Sequence, residues 1–371
     1  MTRFTVIGAV AAVINPLVAV AGSTITSLAP VQGQNVSGGL ALSADGSVVV
    51  GFSGSQFPGR HATRWTGANW APQDLGTAQG QSDGILYGAA DSGNAAFGWA
   101  QVANNFVPFR WTSQSGIQNL PTPWNDSRAR AISPDGSFIV GEARPGNFTV
   151  PIRWTGINAP SQLPLPQGSL SGRATVAGRA GNILGSAGAA GTTALVRWNS
   201  ATNAVSAIAT FAPNVDGAPF AASADESVIA GVRVAIDQPF TTLPWRWTAQ
   251  GGLEDLPLPA GFVSGNVWGS SSDGAVLVGD VYDANFTNYR GVVWSDSGVQ
   301  TIESYLTGFG IDMTGWTIGT CHGISQDGMT LVGVGLNPEG QTRGWVAVIP
   351  APATAALVAT GVGVFARRRR A

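Results

Sequence analysis

The residues of this chain that could do chemistry are few, and most stand alone. Cys321 and His322 are adjacent, and a cysteine with a histidine base is the usual source of a thiolate nucleophile. Neighbours on a strand point to opposite faces, whereas a base must lie within hydrogen-bond reach of its thiol. The pair precedes a turn at Asp327-Gly328 and reads as strand. His61 has no evident partner and reads as loop. Two acid pairs, Asp225-Glu226 and Glu254-Asp255, offer the carboxylates that glycoside hydrolysis needs, but they fall in expected turns or strand ends. Five aspartates recur in similar settings: Asp45, Asp135, Asp225, Asp273 and Asp327. Calcium takes six to eight oxygens, usually from several carboxylates close in sequence. Each of these turns supplies one carboxylate, so an aspartate capping its own turn is the simpler reading. Repeated arginines could line an anion channel, pair with aspartates of neighbouring units or stack on tryptophans. No catalytic, metal-binding or cofactor-binding set is assigned, and spatial pairing of acids across units stays open as a route to a glycosidase.

The elements that must position these residues follow from composition and periodicity. Glycine is abundant at 51 and proline adds 22, while charged residues make up 11%. Many short strands and tight turns are expected. All 19 basic residues are arginine, and the body outside the termini carries 14 of them against 21 acids. A mildly acidic body excludes a nucleic-acid footprint, which needs a basic face. The single cysteine excludes an internal disulfide, and one cysteine with two histidines argues against structural zinc.

One segment recurs: a small residue, x-Ser-x-Asp-Gly-Ser, three apolar residues, glycine. It is clean at Ala41–Gly51 and Ala131–Gly141, and the closing glycines fall at 51, 98, 141, 185, 231, 279 and 333. Their spacings, 47, 43, 44, 46, 48 and 54, give the period of a four-stranded propeller blade. A second marker follows: Arg64-Trp65-Thr66, Arg110-Trp111-Thr112, Arg153-Trp154-Thr155, Arg197-Trp198-Asn199 and Arg246-Trp247-Thr248, with Trp294 and Trp345 in the last two units. A third ends the units, as in Asp74-Leu75-Gly76, Asn119-Leu120-Pro121 and Asp255-Leu256-Pro257. Each unit reads as four strands, with tryptophan packed between blades. The seventh unit lacks a fourth strand, and the orphan segment 23–30 is expected to supply it, closing the ring and removing sheet edges. A linear β-solenoid is the structural alternative. The longest spacing contains residues 305–320, where a short helix or extra hairpin is expected, either as a binding loop or as a brace.

The two ends read as addresses. Arg3 and the apolar stretch 4–18 precede a small-x-small site, Ala19-Val20-Ala21 before Gly22, as in a secretory signal peptide at 1–21 that uses the Sec translocon. At the other end, Ile349-Pro350-Ala351-Pro352 introduces an apolar run closed by Arg367, Arg368, Arg369 and Arg370. A helix over 349–366 would span roughly 27 Å, close to a hydrocarbon core of about 30 Å. The arginines should stay cytoplasmic.

This tail resembles the PEP-CTERM sorting signal, although Ala351 stands where that family usually has glutamate. The resemblance covers 349–371 and implies an exosortase as partner and delivery to the cell surface or extracellular matrix. The repeats over 35–348 resemble HAF-type extracellular repeats and, more distantly, the Ser-Pro-Asp-Gly turns of TolB-like propellers; the likeness to the Asp-box of sialidases is weak. No activity comes with these resemblances. The expectation is an all-β, seven-bladed β-propeller at 22–348, with a signal helix before it and a transmembrane helix after it. The expected function is a non-enzymatic binding or structural protein whose partner is an extracellular polysaccharide or a surface protein. The alternatives are a secreted polysaccharide hydrolase or lyase with carboxylates on the central face, and a periplasmic scaffold.

Overall fold

The computed structural model describes residues 24–349 except 55–58, 103–104, 125, 190 and 239–240. These form seven four-stranded antiparallel sheets. The first strands of the seven sheets (Ser37–Leu42, Ile85–Ala89, Arg128–Ile132, Ser171–Ala177, Val215–Ala222, Ser264–Ser270 and Thr317–Ile324) touch one another in sequence order, and the seventh touches the first. The sheets are therefore the blades of a closed propeller, with the first strands around a central lumen. The seam is made as expected: Thr24–Leu28 pairs with Thr342–Val348, Thr24 opposite Val348 and Leu28 opposite Gly344. A β-solenoid is thereby ruled out for this segment. The propeller reaches one residue beyond the expected boundary, because Ile349 is buried in the core of blade 7 and its N–H donates to Met329. Among the described residues no helix is long and apolar enough to cross a membrane. The expected signal peptide with Ala19, Ala21 and Gly22, and the tail from Pro350, Ala351 and Pro352 to Arg367–Arg370, lie outside the described residues.

A steric constraint sets the repeat. Every first strand carries a β-bulge at the same place, with the extra residue at Leu40, Tyr87, Arg130, Thr175, Phe220, Trp268 or His322, and the seventh has a second bulge at Gly319. The bulge brings the carbonyl two residues earlier close to the second strand. A Cβ built on Gly51 would stand 1.9 Å from the Gly38 oxygen, and the same collision, at 1.8–2.1 Å, faces Gly98, Gly141, Gly185, Gly231, Gly279 and Gly333. The seven closing glycines must therefore lack a side chain; Gly188, whose Cβ would stand 1.9 Å from the Thr192 oxygen, is under the same constraint outside the repeat.

The Ser-x-Asp-Gly segments are the turns between first and second strands. Asp45 Oδ1 accepts from Ser43 Oγ at 2.6 Å and from the Ser47 N–H at 3.0 Å, and Asp135, Asp225, Asp273 and Asp327 repeat the pattern. The turns also join blades. The N–H of Ala44 donates to Asp91, Asp91 to Pro134, Ala224 to Ser272, Ser272 to Gln326 and Gln326 to Ala44. Proline has no N–H, so the belt breaks at Pro134. Blade 4 has a shorter turn, 178–182, and its Arg179 pairs with Asp91 across blade 3. Glu226, at φ +59° where other blades have glycine, fills the gap left by that short turn. Its carboxylate accepts from Asn182 Nδ2 at 3.0 Å and lies 3.0 Å from Arg197 Nε.

Seven hydrophobic clusters fill the seven spaces between blades. The marker tryptophans face back to the preceding blade. The indole N–H of Trp65, Trp154, Trp198 and Trp294 donates to the carbonyl of Ala29, Pro121, Pro164 and Pro257, at 2.6–2.8 Å. Each acceptor follows a buried leucine, which is why a Leu-Pro pair ends a unit; Leu163-Pro164 is a copy that the sequence reading missed. The marker arginines face forward. Arg64 lies over Trp111, Arg110 donates to the Gly136 carbonyl and Arg153 to that of Ser200. Blade 5 departs from the pattern, because Trp245 is buried there while Trp247 is half-buried. The long sixth unit holds a helix, Ile302–Gly308, capped by Thr301. Ile302, Leu306 and Ile311 are buried with Trp345, so this insertion braces blades 6 and 7. It also replaces the Leu-Pro pair, and the Trp345 indole N–H has no acceptor among the described residues.

Two outcomes follow from this packing. Trp154→Phe strands the Pro121 carbonyl, whereas Trp345→Phe removes an unpaired donor, so urea unfolding should show Trp154→Phe more destabilising by about 1 kcal/mol. In the turns, serine hydroxyls and backbone N–H groups hold the carboxyls of Asp45, Asp135 and Asp273 below their usual value, and that of Asp225 down to about 2. A depressed folded pKa gives stability that is present above the unfolded value of about 3.9 and lost as pH falls through the folded one. Urea midpoints should therefore drop between about pH 4 and pH 2, and joint Asp→Asn replacement at 45, 135, 225 and 273 should flatten that drop.

Candidate functional site: the lumen and the cavity at blades 3 to 5

The residues considered for catalysis are not brought together. Cys321 is fully buried in the core between blades 6 and 7, and burial pushes its thiol up, away from the thiolate. His322 is the bulged residue of the same strand and faces elsewhere. His61 lies at the start of a strand, not in a loop, with Nδ1 2.9 Å from the Asp74 carboxylate on the next strand. Glu254 lies 3.3 Å from Arg246, and Asp255 accepts from Arg233 Nε at 2.7 Å. Asp225 caps its turn and Glu226 is buried against Arg197. Among the described residues no three His, Cys, Asp or Glu side chains could hold a metal ion.

The bulge gives each blade one side chain at the lumen. The position is half-buried in six blades and buried at Thr175. The residue just after each bulge is small in six blades: Ala41, Gly88, Ala131, Ala221, Gly269 and Gly323. The bulged residues themselves are leucine, tyrosine, arginine, threonine, phenylalanine, tryptophan and histidine. Several are held by the residue that follows the closing glycine of the same blade. Tyr87 stacks on Trp99 at 4.4 Å, Arg130 pairs with Glu142, and Trp268 Nε1 donates to Asp280 at 2.7 Å. Asp280 also accepts from Asn266 Nδ2 at 2.8 Å, and burial pushes its carboxyl up to about 6 against these hydrogen bonds. Phe220 meets Trp268 edge-on at 5.3 Å, and Trp268 lies 6.0 Å from the His322 ring. Desolvation at the lumen wall pushes the pKa of the half-buried His322 down to about 4, so the imidazole is neutral at neutral pH.

A cavity of about 760 Å³ opens at blades 3 to 5, at the strand ends away from the aspartate turns. Arg128, Arg130, Arg144 and Arg173 line it, together with Asp126, Glu142 and Asp216. Arg128 pairs with Asp126 at 3.1 Å and lies over Phe106 at 4.5 Å; Arg130 pairs with Glu142 and Arg173 with Asp216. Arg144 is exposed and has no carboxylate partner among the described residues. Phe148, Leu170 and Ile236, each more than half exposed, also border it, three of the ten large apolar side chains exposed among the described residues. Arg130 belongs to both the lumen and the cavity.

Sequence reading missed these residues because it weighed pairs adjacent in sequence. The available signal was positional: the residue 11 before each closing glycine, or 10 in blade 4, varies in chemistry while the residue after it is alanine or glycine in six blades.

No protein-family model matches the chain, and no curated protein matches its sequence. The fold is similar to several solved structures. Oligogalacturonate lyase from Vibrio parahaemolyticus is 13% identical, with 88% of this chain and 93% of that chain covered and a TM-score of 0.52. Virginiamycin B lyase from Staphylococcus aureus is 14% identical, with 88% and 99% covered and a TM-score of 0.53. A prolyl endopeptidase is 9% identical, with 89% and 50% covered and a TM-score of 0.52. At these identities the likeness is one of fold: the chain is an all-β, seven-bladed β-propeller.

Proposed function

We infer that this is an exported, surface-delivered propeller that binds an acidic extracellular polysaccharide without turning it over. The observation that carries the reading is the cavity at blades 3 to 5. Four arginines meet there in a body with an excess of acid, Arg144 is left without a carboxylate, and exposed apolar side chains border the opening. A cationic site in an acidic protein favours a polyanion at one place and disfavours it elsewhere. The apolar border can cover the carbon skeleton of the same ligand. Delivery rests on the ends of the chain: a Sec-type signal peptide, and a PEP-CTERM-like tail read by an exosortase.

The reading as a hydrolase or lyase requires a carboxyl poised to exchange a proton next to the substrate. The acids of the cavity are each held by an arginine. Asp280, whose carboxyl is pushed up, is 1% exposed and covered by its hydrogen-bond donors. These arrangements favour binding over turnover.

With alginate as the polyuronate, binding should weaken several-fold from low to high salt, as charge pairing does. Arg144→Ala should weaken it by about three- to tenfold, with the unfolding midpoint unchanged. Release of unsaturated or reducing ends during incubation would instead establish the enzymatic reading. Separately, deletion of 350–371, which leaves the buried Ile349 in place, should move the protein from the envelope fraction to the medium; retention in the envelope would remove the tail from the account.

A further inference from the structure

Several half-buried aromatic side chains of this propeller, Phe52, Trp99, Phe220, Trp268 and Tyr282 among them, belong to none of its packing cores. Phe220 and Trp268 occupy the bulges of blades 5 and 6, and both stand apart from the seven clusters between blades. Trp268 is half-buried, so part of its ring is left uncovered. Trp268 is nevertheless fixed. Its N–H is bound to Asp280, Phe220 lies against one side, and the neutral His322 ring stands on the other. The result is an aromatic arc over three consecutive blades, held in place without being covered.

The rest of the lumen differs from this arc. In a ring of seven, blade 6 stands opposite the junction of blades 2 and 3, whose bulged residues are Tyr87 and Arg130. An occupant of the lumen thus meets an apolar, planar wall on one side and hydrogen-bond donors on the other. An acyl chain or an apolar peptide satisfies only the first. A pyranose ring has both parts, a C–H face that lies on an aromatic ring and hydroxyl groups around its edge.

We propose that Phe220, Trp268 and His322 form a stacking subsite in the lumen for a pyranose ring of a bound polysaccharide. The proposal rests on the polysaccharide reading above, but on residues outside the arginine-lined cavity. The cavity recognises charge, and the arc recognises the sugar ring whatever charge it carries. Arg130 is common to lumen and cavity, so one chain can engage both.

The test uses the secreted full-length protein, with an alginate hexasaccharide and the neutral hexasaccharides of cellulose, xylan and starch as probes in calorimetric titration. At least one probe should bind, and Trp268→Ala should weaken it about tenfold or more, the scale of losing one stacked ring. Trp268→Phe keeps an aromatic surface and should stay within about threefold; it also guards against loss of the alanine variant to misfolding. Binding should change the indole emission of the wild type, and Trp268→Phe should lose that change. Unaltered affinity in both folded Trp268 variants overturns the subsite. If Arg144→Ala still weakens alginate binding in that case, the polysaccharide reading survives alone. Absence of binding by all four probes overturns both.

Discussion

One short-range collision organises this molecule. In each blade a bulge in the first strand directs a carbonyl oxygen at the place where the second strand would carry a Cβ, and glycine is the residue that fits. The same bulge breaks the alternation of the strand and leaves one side chain at the lumen. The device that writes the period into the sequence is therefore the device that builds the lumen wall. The glycine is fixed by sterics, whereas the bulged residue varies from blade to blade; of the seven, Tyr87 packs against the core between blades 2 and 3. Seven copies of one constraint yield seven chemically different side chains around one opening.

The blades are bound by a division of labour along a single strand. Alternate residues face opposite sides, so the marker tryptophan packs on the preceding blade while the marker arginine reaches the next. Each interface is thin, and a blade at an open end would leave one such face bare. Closure by Thr24–Leu28 removes the bare face and the free sheet edge together. The weakest part of this system is the sector from blade 3 to blade 5. Pro134 interrupts the belt of turns, blade 4 has lost a residue and its aspartate, and Glu226 and Arg179 replace the missing backbone bonds with charged contacts. The cavity opens in this sector, at the opposite ends of the strands.

What the sequence revealed was whatever lies close to the backbone. The glycines, the Ser-x-Asp turns and the Trp markers are local demands repeated once per blade, so their spacing gave the number of blades and the strand count gave the seam. The bulges were hidden, because a bulge is a statement about register between two strands and leaves no residue type of its own. The Leu-Pro ending was visible as a pattern but not as a cause; its carbonyl accepts from a tryptophan more than 30 residues away. The pairing of Arg130 with Glu142 and of Trp268 with Asp280 became apparent only once the second strand was laid beside the first. The cavity was the least legible part, since its arginines come from blades 3 and 4 and meet only in space.

The placement of the acids bears on what such a site can do. Besides the turn aspartates, Asp83 is bound by Arg60, Asp91 by Arg179, Glu142 by Arg130, Asp216 by Arg173, Glu226 by Arg197 and Asp255 by Arg233. A carboxylate whose oxygens are engaged by a guanidinium is oriented toward that partner and not toward a substrate. The same pairing has the reverse effect on the arginines. A guanidinium whose fork is already oriented loses less entropy when a ligand arrives. Fixing charge in pairs thus weakens the case for general acid catalysis and strengthens the case for recognition, leaving Arg144, the cavity arginine with no carboxylate partner among the described residues, as the place where the proposed anionic ligand would gain the most.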